Sequence, residues 1–149
     1  MPVAIALGSN LGDRDEMLDA AEERLAVLLS GAVASGRYET TPVGGPPDAP
    51  LYLNEVVVGS TTLGPRVLLD TMHAIELELG RDRPFRDAPR TLDLDIILYG
   101  DFVIDEPTLQ VPHPRFRDRA FVLDPLSEVA GDWVDPVSGL TMVELRRRL

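Results

Sequence analysis

The sequence predicts an α+β domain with an antiparallel sheet, and two observations carry that prediction. Short runs rich in Val, Ile and Leu, at positions 3–7, 52–61 and 91–100, have the length and composition of strands. Around positions 13–31 and 64–80, apolar residues instead recur every three or four places, as one face of a helix requires. With a further strand inside 32–40, the order is strand, helix, strand, strand, helix, strand. That is the ferredoxin-like βαββαβ plan: an antiparallel sheet, helices on one face and, here, a C-terminal extension. At 149 residues, one domain spanning 1–149 is expected.

The elements follow in order. Val3 to Leu7 reads as a central strand, broken by the Gly8 to Gly12 turn. Asp13 is placed to cap the first helix, with Glu16 as its capping-box partner. Leu18, Ala21, Leu25, Leu28 and Leu29 keep helical spacing, and Gly31 is the expected stop. The second strand is expected within Ala32 to Thr40. Positions 41–50 hold four prolines and two glycines, too long a loop for an ordinary hairpin. Tyr52 to Thr61 is the third strand, interrupted by Asn54 and Glu55. Asn is a poor strand former; either a buried, satisfied amide or a flat hydrogen-bonding ligand accounts for it. Gly64-Pro65 opens the second helix, Leu68, Met72, Ile75 and Leu79 form its stripe, and Gly80 ends it. His73 reads as a surface residue. After residue 100 the chain is expected to be irregular until a short helix at 124–130 and a last one at 141–149.

The fourth strand, Thr91 to Gly100, carries the chemistry. Leu92, Leu94, Ile96 and Leu98 fall on one face, and Asp93, Asp95, Ile97 and Tyr99 on the other. Two carboxylates on one strand face, roughly 6–7 Å apart, repel each other until a cation sits between them. Oxygen ligands with open positions suit Mg²⁺, which shares its shell with phosphates. A solvated strand face is the plainer reading of the acids alone. Upstream, however, Arg81, Arg83, Arg86 and Arg90 crowd one loop, and guanidinium groups match phosphate oxygens. Together the two features describe a polyphosphate site. A second cationic stretch holds His113, Arg115, Arg117 and Arg119, with Pro112 and Pro114 bracketing the histidine.

Composition narrows the chemistry further. The net charge of −11 argues against non-specific nucleic-acid binding. Yet half of the 14 basic side chains fall within residues 81–119. All are Arg, which excludes a Walker P-loop, a protein-kinase strand lysine and lysine Schiff-base chemistry. The absence of Cys excludes disulfides and thiolate chemistry. No leader pattern and no run of about 20 apolar residues is present, so a soluble, cytoplasmic protein without membrane or nucleic-acid partners is expected.

Several blocks, taken together, resemble one family. They are Ala6-Leu7-Gly8-Ser9-Asn10-Leu11-Gly12, Tyr38-Glu39-Thr40, Pro42-Val43-Gly44, Tyr52-Leu53-Asn54, Pro89-Arg90-Thr91-Leu92-Asp93-Leu94-Asp95 and Val111-Pro112-His113-Pro114. The chain resembles 6-hydroxymethyl-7,8-dihydropterin pyrophosphokinase, the folate-pathway enzyme that moves the pyrophosphoryl group of ATP onto a pterin alcohol. The resemblance spans residues 4 to about 130. It implies that Asp93 and Asp95 bind two Mg²⁺ ions, and that Arg83 and Arg90 act with them in catalysis. It implies that Glu76, Arg81, Arg83, Arg90, Ile96, His113 and Arg119 serve ATP. Thr40, Val43, Tyr52, Asn54 and Phe121 then form the pterin pocket. A monomer with these two small-molecule substrates is implied. One departure stands out: the family's usual Trp before the Pro-Arg-Thr block has no counterpart here. Its place falls near Asp87, and Phe85 is the candidate substitute. Two rival readings remain, a two-metal phosphodiester hydrolase on the same acids and a non-catalytic binding module. The acidic balance opposes the first, and the two arginine clusters oppose the second.

Overall fold

In the computed structural model, which describes residues 1–41, 51–81 and 92–149 (Arg81 through its backbone alone), β1 (Pro2–Ser9) runs through the middle of the sheet. The order across the sheet is β2 (Ser30–Ala34), β4 (Tyr52–Ser60), β1 and β5 (Asp93–Tyr99), with β3 (Tyr38–Thr40) also paired to β4. Every pairing is antiparallel. Helix α1 (Arg14–Leu28) joins β1 to β2, and α2 (Pro65–Arg81) follows β4. The Asp13 carboxylate accepts from the Glu16 N–H at 3.0 Å and so caps α1, without the reciprocal Glu16 bond of the expected capping box.

One sheet face presents Val3, Ile5 and Leu7 to Leu18, Ala21 and Leu25 of α1 and to Leu68, Met72, Ile75 and Leu79 of α2. Each of these side chains is buried, and a fully buried Leu contributes roughly 1.5–3 kcal/mol. The other face is not free of helices, contrary to the one-sided arrangement the sequence suggested. Helix α3 (Ala120–Ala130) lays Val122, Leu123 and Leu126 on Ala4, Val56 and Val58. It therefore starts four residues before the expected point. Pro125 sits inside it, where it gives up one helical hydrogen bond. Val122, Leu123 and Leu126, buried against the sheet, outweigh that loss. Helix α4 (Met142–Arg147) closes the chain behind a Thr141–Glu144 capping box.

Four further expectations change. Helix α1 stops at Leu28, and Gly31 lies in β2 at φ +62°, beside a register shift against β4. The second strand is two strands, because the chain leaves the edge at Ser35 and Tyr38 begins β3. Helix α2 runs through Gly80 to Arg81. In β5, alternation holds only as far as Ile97. There a bulge inserts one residue opposite Ala4/Ile5, so Leu98 joins the α3 face and Tyr99 the α1/α2 face. The stretch after residue 100 is also less irregular than expected. A hairpin of β6 (Ile104–Glu106) and β7 (Leu109–Val111) buries Leu109 and Val111 against β5. No helix among the described residues is long and apolar enough to cross a membrane.

Between β2 and β3, Arg37 turns back onto α1. Its guanidinium meets Asp15, Asp19 and Glu22 at 2.7 Å each, and Glu55 of β4 at 3.4 Å. The Glu55 side chain is 1% exposed, and its Oε1 has no hydrogen-bond partner among the described residues. Burial and the neighbouring Glu22 push its carboxyl up to about 8 against the pull of Arg37. The folded state thus holds a proton that the unfolded chain releases in the ordinary carboxylate range. The stability this contributes is present in acid and fades as pH rises towards 8. Glu55→Gln is expected to leave the Tm unchanged near pH 5. At about pH 9 it should raise the Tm by roughly 2–4 °C, the shift that 1 kcal/mol gives a chain of this size. Thermal melts at both pH values check this; a loss at both would mean that Arg37 needs the charge.

Candidate functional site

The register of the sheet sets the site. Tyr38, Asn54, Gly8 and Asp93 form one row across β3, β4, β1 and β5. The next row on the same face is Val56, Ala6 and Asp95. Neighbouring strands lie about 4.8 Å apart, so Asn54 and Asp93 stand two spacings, roughly 10 Å, from each other. Only Gly8 and Ala6 lie beneath that gap, and their small size leaves a cleft over β1. Helix α3 closes one side with Phe121 and Val122, while Thr40 and Tyr52 line the other end. The cleft thus gathers Thr40, Tyr52, Asn54, Asp93, Asp95, His113, Arg119 and Phe121. Eight residues singled out from the sequence come together there. Gly8 and Ala6 entered only through a turn and a family block, without a site role, and Val122 carries no single-sequence signal that separates it from an ordinary core position.

Asn54 is 7% exposed, and its amide nitrogen donates to the Thr40 hydroxyl at 2.6 Å and the Tyr38 carbonyl at 3.4 Å. The buried-amide reading of this residue holds in part. The amide is satisfied on its nitrogen side, and that bonding fixes its orientation. Its Oδ1 is turned over β1: a Cβ built on Gly8 would lie 3.3 Å from it and 3.6 Å from the Tyr52 ring. The carboxamide offers the cleft an acceptor, rather than the donor and acceptor together. Phe121 presents its ring beside the Arg119 guanidinium, 5.4 Å from the ring centroid.

The two acids remain accessible on their strand, although the Asp93 carboxyl is partly enclosed by the cleft it lines. Burial first, and then the charge of Asp95, hold the Asp93 carboxyl above the usual carboxylate range. Glu76 lines neither cleft. It reaches from α2 to the sheet edge, where Oε2 accepts the outward Leu94 N–H at 2.9 Å, between the two acids. Burial raises its carboxyl as well, opposed by that hydrogen bond. His113 follows β7, and its N–H donates to the Ile97 carbonyl at 3.0 Å. Its Nδ1 accepts from the Arg115 N–H at 3.1 Å. Burial lowers its pKa, so the ring is neutral near pH 7 and carries its proton on Nε2.

A second cleft adjoins the first through Asp95 and His113. Leu69, Ile96, Leu109 and Pro114 give it apolar walls, and Thr108 and Gln110 give it polar groups. His73, read as a surface residue, is exposed and borders this cleft. The hairpin residues were missed because β6–β7 was read as irregular. Val43, Arg83, Phe85, Arg90 and the Arg81 side chain lie outside the described residues, as do all positions in 42–50 and 82–91.

The family model for 7,8-dihydro-6-hydroxymethylpterin-pyrophosphokinase matches residues 4–131. The chain belongs to this family. It is 48% identical over 133 residues to a 2-amino-4-hydroxy-6-hydroxymethyldihydropteridine pyrophosphokinase of Pseudomonas aeruginosa, covering 87% of this chain and 81% of that protein. Identity to the enzyme of the same name from Haemophilus influenzae is 44%, with 90% and 84% covered. Among solved structures, the HPPK-DHPS triple mutant of Plasmodium falciparum with STZ-DHP superposes with a TM-score of 0.80 at 15% identity. That match covers 99% of this chain and 43% of the other, and it bears on the fold alone. In this pyrophosphokinase family member, both clefts open beside the same strand, β5.

Proposed function

We propose that this chain transfers the pyrophosphoryl group of ATP to 6-hydroxymethyl-7,8-dihydropterin, giving AMP and the pterin diphosphate in folate biosynthesis. The observation that carries the reading is the row Asn54–Gly8–Asp93. It sets an amide acceptor and a pair of carboxylates at the two ends of one flat, open strip of sheet, in a chain of this family. A planar pterin lies over Gly8, its amide-like edge against Asn54 Oδ1 and a ring face against Phe121. Its hydroxymethyl end then points to Asp93 and Asp95. The adjoining apolar cleft, with Ile96 in its wall, takes the purine, and the triphosphate lies between them. We further infer one domain over 1–149, a ferredoxin-like arrangement of the sheet, a monomeric state and a cytoplasmic location.

The residues present fit Mg²⁺. Two exposed carboxylates share a strand face, with Ala6 and Gly8 leaving space beside them. No group of three or more His, Cys, Asp or Glu forms a full cage among the described residues. That suits an ion that keeps waters and takes one or two carboxylates plus phosphate oxygens. Two Mg²⁺ held by Asp93 and Asp95 would neutralise the charge on the triphosphate and on the attacking oxygen. In the reaction, the pterin hydroxyl oxygen bonds to the β-phosphorus. The bond from that phosphorus to the α,β-bridging oxygen breaks, AMP departs and the hydroxyl proton is released. His113 Nε2–H and Arg119 donate to phosphate oxygens, and Arg81, Arg83 and Arg90 add positive charge. Glu76 serves the nucleotide side through the strand, by fixing Leu94 between the two acids.

Incubation with ATP, Mg²⁺ and the pterin alcohol tests the reading. AMP supports it, ADP indicates a simple kinase, and no turnover leaves a binding module. Calorimetric titration of Asn54→Ala separates the half-sites. Loss of a buried partner costs about 1–3 kcal/mol, so pterin binding should weaken about tenfold or more while ATP binding holds. Lost ATP affinity with pterin affinity kept would mean the half-sites are assigned the wrong way round.

A further inference from the structure

The three residues Gly36 to Tyr38 are gripped from both sides of the sheet. Below, Arg37 is tied to the acids of α1. Above, Glu128 of α3 accepts from the Gly36 N–H through Oε2 at 2.9 Å and from the Tyr38 hydroxyl through Oε1 at 2.6 Å. A Cβ on Gly36 would lie 3.5 Å from that carboxylate, so the chain passes close beneath it. Glu128 has no cationic partner in an ion pair among the described residues; both of its bonds run to this one segment. It stands seven residues, two helical turns, beyond Phe121 and so on the same side of α3. The segment it holds leads straight into the Tyr38 carbonyl and Thr40 hydroxyl, the two acceptors that orient the Asn54 amide.

We propose that Glu128 is a positioning residue for substrate recognition: it locks β3 to α3 and thereby aims Asn54 Oδ1 into the cleft opposite Phe121. This rests on the assignment of Asn54 to the pterin edge. An exposed carboxylate of this kind adds little to stability. Its consequence is geometric, because the two walls of one pocket come from elements some 90 residues apart, and Glu128 joins them directly. The pKa directions agree with a fixed donor–acceptor pair. The Tyr38 hydrogen bond lowers the Glu128 carboxyl, and the same bond raises the Tyr38 phenol.

The test is a double-mutant cycle read by calorimetry with the pterin alcohol and, separately, a non-hydrolysable ATP analogue. Glu128→Ala should weaken pterin binding about three- to tenfold and leave ATP binding unchanged. Tyr38→Phe should reproduce part of that loss, and Glu128→Gln, which keeps an acceptor, should restore most of it. In the Asn54→Ala background, Glu128→Ala should cost nothing more. Additive losses in the double variant, or equal losses for both ligands, overturn the proposal. Should Glu128→Ala fail to fold, Tyr38→Phe carries the same cycle. In the free protein, the side-chain amide signals of Asn54 should shift in Glu128→Ala and in Tyr38→Phe. Unmoved signals sink the clamp whatever the ligand. If the unaltered protein fails to bind pterin, the substrate assignment fails, and those signals still decide the clamp.

Discussion

Asp95→Ala and Asp93→Ala are each expected to lower AMP formation by about a thousandfold or more. A metal clamp on transferring phosphoryl groups supplies several kilocalories per mole of transition-state stabilisation, and each 1.4 kcal/mol is tenfold in rate. Neither change should harm the fold. Both side chains are exposed on the strand, opposite Leu92, Leu94 and Ile96, which form the buried set. Asp93 is in addition held above its ordinary pKa by burial and by Asp95. A raised carboxyl contributes stability that is lost as pH rises, so at neutral pH its removal gives no loss and a small gain. Single-turnover kinetics at saturating Mg²⁺, with a thermal melt of each variant, check both halves. Near-normal turnover in either variant would falsify the metal assignment; lost turnover with a collapsed melt would make the acids structural.

The sequence made part of this site legible, for reasons that can be named. Asp93 and Asp95 could be placed on one face because strand alternation is strict and the apolar set opposite them is continuous. Leu98 and Tyr99 were misassigned by the same rule, because a bulge at Ile97 carries no composition signal and shifts every later residue by one. Asn54 stood out as a poor strand former in a buried run, but which of its atoms faces the cleft depended on Thr40 and Tyr38 in another strand. Pro125 drew the start of α3 too late, since a proline in a sequence reads as a helix boundary. Burial of Val122, Leu123 and Leu126 against the sheet overrides it. That error also hid the two-sided cover of the sheet, although Phe121 itself was named for the pocket. Gly8 was legible only as a turn residue, because its role depends on what stands on either side of it across the sheet.

Gly8→Val is expected to abolish pterin binding, by about a hundredfold or more, while sparing ATP. The backbone at Gly8 is not in the left-handed region, so a β-branched residue fits the strand conformation there and suits it. The obstacle is space alone. A single Cβ would already sit 3.3 Å from Asn54 Oδ1 and 3.6 Å from the Tyr52 ring. The two methyl groups of Val extend further, over the strip between Asn54 and Asp93 where the ring is proposed to lie. They displace the ligand from Phe121 and leave Asn54 Oδ1 covered by hydrocarbon, and an uncompensated buried acceptor costs about 1–3 kcal/mol on top of the lost stacking. The nucleotide cleft, walled by Leu69, Ile96 and Leu109, does not include Gly8. Calorimetry with each ligand separates the cases, and Gly8→Ala should fall between the parent and Val. Full pterin affinity in Gly8→Val would move the ring off this strip of sheet; equal loss of both ligands, with a lowered Tm, would make Gly8 a packing residue of β1.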